Sequence, residues 1–342
     1  MAAQQRNPYL FLAVTMMLWG GAFSSSETVV DHVPHTVAAT LRFGGGAVAL
    51  LIAVALTGRR SAVPRPKVGL RASVRACLAG VLGVFAYNGF FFWGLSLAPS
   101  LDGGILIPVM SPVLTSGFLL VTGREKASPR RLVGLTLGLA GAAVYLIAAN
   151  SAGGAGGGSH RLMGDLLYVL SAVSWAAFTL AAPKVLAGIE PLTAMAYATC
   201  TGAVLLALVA APDLGRVQWG ALPSEVWLNV AYLAIGATAV ANVLYYRGVA
   251  AVGPASASLM MFLVPAVNTT CATLFLGESF TALQAAGAVV LLVGAALAGR
   301  ARISLRRRRP TQGPDTRPQA DTPPRLKLTP RPAPAGYPKD HE

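Results

Sequence analysis

The side chains of this 342-residue chain that could recognise a solute lie inside long apolar stretches, and most are amides or aromatics. Asn88 sits with Tyr87 and Phe91, Asn242 with Tyr245 and Tyr246, and Asn268 three residues after Pro265. Trp19 and Trp175 hold similar places in two separate stretches. An amide turned toward hydrocarbon would leave its donors unpaired, so each is expected to face a protein interior. There it would line a solute-binding cavity or tie neighbouring helices together. Charges are costly in such a setting and mark function by default. Glu27 could take a cationic group or a proton, or stand exposed at a helix end. Arg42 could meet a carboxylate, pair with a backbone carbonyl or snorkel to the surface. Lys184 and Arg247 suit interfacial anchors, and Asp165 suits the first turn of a helix. Pro108, Pro112 and Pro265 would kink the stretches that contain them.

Nothing comparable points to catalysis. His32, His160 and His341 lie outside the predicted helices and His35 at the edge of one, no two carboxylates share one, and neither H-E-x-x-H nor G-x-S-x-G occurs. Cys77, Cys200 and Cys271 are far apart, which suits packing rather than a zinc site or disulfide framework. The stretch SAGGAGGGS at 151–159 lacks the Gly-Lys-Ser/Thr that a phosphate loop needs. No catalytic residue, cofactor or metal is therefore expected.

These side chains must be held by elements that cross a membrane. Residues 77–123 contain one charge, Asp102, while 132–160, 191–212, 248–277 and 279–299 contain none. About 20 uncharged apolar residues suffice to span a bilayer as a helix. Ten helices are predicted, at roughly 8–30, 34–57, 74–98, 102–122, 130–149, 162–183, 191–211, 225–248, 254–276 and 281–299. Prolines 34, 129, 191 and 254 stand at helix starts, where they cost least. Basic residues cluster at 59–75, 124–131 and 300–309, all on one predicted face, which is then cytoplasmic and holds both termini. The net charge of +14 is thus placed for membrane orientation and lipid contact rather than for nucleic acid. Residues 150–161 read as a Gly-rich extracytoplasmic linker, and 300–342 as a basic, Pro-rich, disordered cytoplasmic tail.

The chain also repeats itself. Pro112, Glu125, Gly134 and Gly141 recur as Pro265, Glu278, Gly287 and Gly294, at a constant offset of 153 residues. Helices 1–5 (8–149) and 6–10 (162–299) then form two units. Five is odd, so the second unit enters the membrane inverted, and such repeats frame a site near the midplane. The two glutamates read as helix-end structural groups.

In the order of their motifs, these units resemble the EamA-type transporters of the drug/metabolite transporter superfamily. LWGGAF at 18–23, Leu41-Arg42-Phe43 and SAVSWAAF at 171–178 resemble that family's helix openings, and the duplicated Pro–Glu–Gly stretches resemble the ends of its paired domains. The resemblance implies an all-α polytopic fold of ten transmembrane helices in two inverted five-helix repeats around a central cavity. It implies secondary transport of a small metabolite, amino acid or drug across the plasma membrane by alternating access, more often outward. Such proteins often carry a basic residue where this chain has Glu27, a departure that could favour cations and proton coupling. The expected substrate-binding set is Trp19, Glu27, Tyr87, Asn88, Phe91, Trp175, Asn242, Tyr245 and Asn268. Oligomeric state is left open, and the alternatives are an intramembrane lipid-modifying enzyme and a non-saturable pore or scaffold.

Overall fold

The computed structural model describes residues 8–60, 69–124, 128–151, 154–252, 260–279 and 281–307. Glu125, Pro254, the side chain of Tyr246 and the tail beyond residue 307 lie outside the described residues. Every regular element among those described is helical. Eight helices are long and apolar enough to cross a membrane. They are α1 (Pro8–Val30), α2 (His35–Arg60), α3 (Leu70–Leu95), α4 (Ser100–Val121), α5 (Pro129–Ser151), α6 (Gly154–Val185), α7 (Pro191–Ala210) and α8 (residues 224–252). Two helices with shorter apolar parts follow, α9 (Leu263–Phe275) and α10 (Ala282–Arg307, apolar over Ala282–Leu297). Uncharged runs of this kind become helices because hydrocarbon offers the backbone no other partner.

Three expectations are corrected. The predicted linker at 150–161 is helical from Gly154 onward, which leaves only residues 152–153 undescribed. Extending an existing helix through glycine costs only about 1 kcal/mol per residue relative to alanine. Asp165 is therefore deep in α6 and fully buried rather than in a first turn. The ninth predicted helix is interrupted by a turn at Met261 and Phe262, so Pro265 stands in the first turn of α9 instead of at a mid-helix kink. There its missing N–H has no intrahelical partner to lose. Finally, α10 runs to Arg307, past the predicted end at 299, since arginine is a good helix former.

Packing pairs helices from the two ends of the chain. Helix α1 lies against α8 and α9, while α6 lies against α3 and α4; α2 packs on α7, and α5 on α10. The α5–α10 contact is backbone to backbone. A Cβ on Gly141 would fall 2.3 Å from Leu291 N, and one on Gly294 would fall 2.3 Å from Gly138 N. Only glycine permits that approach. Helices α3 and α8 each contain a π-helical segment, Val81–Ala86 and Tyr232–Val240. Such segments rotate the side chains that follow them and occur often at functional sites.

Candidate functional site

The site is a central cavity that α1, α2, α3, α4, α6, α7 and α8 build together, with about 890 Å³ of empty space, part of it continuous with solvent. Its aromatic wall comes from Trp19 and Phe23 on α1, Phe43 on α2, Tyr87 and Phe91 on α3, and Trp175 on α6. Its polar groups are Asn88 on α3, Ser111 on α4, Thr199 on α7, and Thr238 and Asn242 on α8, with Arg42 from α2 as the single charge. Met261 and Val264, at the interrupted start of α9, close one side, and Pro108 contributes from α4.

The π segments put two amides into this wall. Asn88 Nδ2 donates to Val84 O at 2.8 Å, and Asn242 Nδ2 donates to Thr238 O at 2.5 Å, each reaching back four residues. Two ring pairs brace the tryptophans. Trp19 packs on Tyr245 with centroids 5.0 Å apart, and Trp175 packs on Tyr87 at 5.1 Å, both tilted. Trp19 Nε1 also donates to Ala237 O at 3.1 Å, which fixes the indole against the π segment of α8. Tilted ring pairs of this kind add about 0.5–1.5 kcal/mol beyond area burial. The rings are thus held in place before any solute arrives.

Six of the nine expected site residues line the cavity: Trp19, Tyr87, Asn88, Phe91, Trp175 and Asn242. Three do not. Tyr245 stands behind Trp19 as its packing partner. Asn268 is fully buried, donates to Ser100 O at 3.3 Å, and fills the space that a Cβ on Gly104 would need. Glu27 lies a turn beyond Phe23, where its Oε2 accepts the Ser100 N–H at 2.8 Å. Glu278 accepts from Leu101 N at 3.0 Å and from Ser100 Oγ at 3.2 Å. The two carboxylates therefore occupy the N-terminus of α4, whose free N–H groups and dipole attract anions.

Asp102, in the same turn and fully buried, forms an ion pair with Arg161 at 2.8 Å and accepts from Tyr145. Trp93, a further aromatic candidate, is 48% exposed and faces outward. Sequence reasoning left Arg42 undecided and passed over Phe23, Phe43, Ser111, Thr199 and Thr238. Phe23 and Phe43 could have been found from the LWGGAF and Leu-Arg-Phe motifs; the small hydroxyls carry no such signal. Among the described residues, no group of three or more metal-ligating side chains comes together.

Comparison with known proteins now gives the fold and cavity a family. Two stretches, residues 6–147 and 162–300, match the model of the EamA-like transporter family. The chain belongs to the EamA-like transporter family. This EamA-like chain is accordingly a multi-pass membrane protein and a membrane transporter. It is 24% identical over 296 residues to the "Uncharacterized transporter YyaM" of Bacillus subtilis (strain 168), covering 84% of this chain and 92% of that one. It is 27% identical over 306 residues to a "Probable terminal-alkyne amino-acid exporter" of Streptantibioticus cattleyicolor, covering 88% and 96%. It is also 27% identical over 238 residues to the "Aromatic amino acid exporter YddG" of Ancylobacter novellus, covering 69% and 77%. A solved structure described only as "Crystal structure of protein" superposes with a TM-score of 0.59 at 24% identity, over 90% of this EamA-like chain and all of the other. That likeness concerns the fold alone.

Proposed function

We propose that this EamA-like chain is a secondary transporter that exports a small amino-acid-like metabolite or drug across the plasma membrane by alternating access, and that it has no enzymatic activity. The observation that carries the reading is one central cavity, walled by aromatics and uncharged polar groups from both ends of the chain. Fixed rings and a few hydrogen-bonding groups suit reversible binding of a small solute. The printed names of two relatives, both exporters of amino acids, support the direction and the solute class.

The reading includes ten membrane helices in two inverted five-helix repeats, with both termini cytoplasmic. Reciprocal packing supports it. The first helix of each half lies on the third and fourth of the other, and α5 and α10 cross through the duplicated glycines Gly141, Gly287 and Gly294. The ring pairs Trp19–Tyr245 and Trp175–Tyr87 exchange in the same way. Two similar halves packed in this manner can rock about the site between them.

Counterflow in proteoliposomes tests the reading. Vesicles preloaded with an unlabelled amino acid should accumulate the labelled one transiently, with saturation as its concentration rises. Linear flux without counterflow would make the protein a pore. Turnover of a lipid without flux would make it an enzyme.

A further inference from the structure

We propose that Arg42 anchors an anionic group on the transported solute, a carboxylate above all, and that the cavity therefore selects against amines. The inference rests on the central cavity being the transport site.

Among the described residues, Arg42 is the only charged one of the lining. A guanidinium carries five N–H donors. Here Nη1 makes one long contact, 3.4 Å to Ser26 Oγ, and the group lies 5.0 Å from the Phe43 ring centroid. Its Nε is buried with no hydrogen-bond partner. The other ionisable groups near it are the Tyr87 and Tyr232 phenols, and no carboxylate pairs with it among the described residues. Three acids of that half of the molecule are engaged elsewhere: Glu27 at Ser100, Asp102 at Arg161, and Asp213 at Arg216 and Thr36.

A partly buried cation without a counter-charge is costly, and proteins ordinarily supply the partner from their own side chains. Here the space beside the guanidinium is cavity, so the solute supplies it. The planar fork of arginine matches a carboxylate in two parallel hydrogen bonds. The other fully buried, unpartnered polar atom of the lining among the described residues, Asn88 Oδ1, is an acceptor and would not hold an anion. One positive charge in the lining suits one negative charge, and the aromatic wall suits an apolar body behind it. A solute whose only charge is an ammonium would meet Arg42 as a like charge, with little water to screen it.

Four probes of one shape separate these charges: 3-phenylpropionate, L-phenylalanine, phenethylamine and 3-phenylpropanol. Each is titrated against the purified full chain, and the shift in melting temperature is read. The acid and the zwitterion should stabilise the protein. The amine should not, and the alcohol should act weakly. In Arg42→Gln, the acid should need at least about tenfold more to give the same shift, a loss of one hydrogen-bonded charge contact, with the weak response to the alcohol unchanged. Arg42→Lys should retain part of the response.

An amine that stabilises as well as the acid would overturn the assignment, even if no variant folds. So would an unchanged response in Arg42→Gln, loss of the alcohol response along with the acid's, or no response to any probe. Carboxylate binding without counterflow would instead leave Arg42 an anion site and remove the carrier reading. Counterflow of another solute without carboxylate binding would do the reverse.

Discussion

Glu27 and Glu278 come from opposite ends of the chain and meet on one serine. Glu27 takes the backbone N–H of Ser100, and Glu278 takes its hydroxyl and the N–H of Leu101, so two carboxyl groups gather at one helix start. The Tyr168 phenol donates to Ala98 O at 3.0 Å just before that serine, and Asp102, two residues after it, is paired with Arg161 and Tyr145. If transport is proton-coupled, this junction of α1, α4 and the α9–α10 connection is where the proton acts. Glu27→Gln, which stays neutral, is expected to flatten the pH profile of counterflow. A profile identical to that of the unsubstituted protein would reject the role.

At the scale of elements, the duplicated glycines matter more than the helix ends they first suggest. Gly141 and Gly294 let α5 and α10 touch through their backbones. A methyl group at Gly141 would strike Leu291 N at 2.3 Å, an atom that cannot turn aside. Gly141→Ala should therefore cost about 1–3 kcal/mol, the usual range for overpacking. Gly117→Ala is the control, because nothing lies within 4 Å of its added carbon. That change should be neutral or stabilising by up to about 1 kcal/mol. Thermal unfolding in detergent reads both, and equal melting temperatures would show that α5 and α10 can separate freely. The spacing of these glycines was visible in the sequence; their contact was not, because spacing within a helix does not say which helix it meets.

For the whole molecule, orientation is the property left to test. In the proposed topology, read from the basic loops, the α4–α5 turn is inside and the α7–α8 connection outside. Single cysteines can be introduced at Thr122 and Gln218, both exposed, after Cys77, Cys200 and Cys271 are replaced by alanine. A membrane-impermeant maleimide applied to intact cells should label Gln218→Cys and spare Thr122→Cys until the membrane is opened. The opposite pattern would invert the proposed topology. Equal labelling of both in intact cells would reject it.

The sequence by itself determined the all-helical membrane class, the internal repeat and the family. Each follows from a local rule: hydrocarbon penalises charge and unpaired backbone wherever they occur, and a duplication keeps its register along the chain. Local rules also placed Trp19, Trp175 and the two amides of α3 and α8 near the site. The tertiary structure alone decided which buried polar groups face the cavity. Asn88, Asn242 and Asn268 look alike in sequence, yet the first two open onto empty space and the third packs into Gly104. The same holds for the charges. Glu27 stood out as the ionisable residue of α1, but Ser100, far along the chain, draws it to a helix end. Arg42 has no such partner, so the cavity keeps its charge. Which face of a helix meets its neighbour, and what waits there, is set by contacts between residues distant in the chain, and no single stretch carries that information.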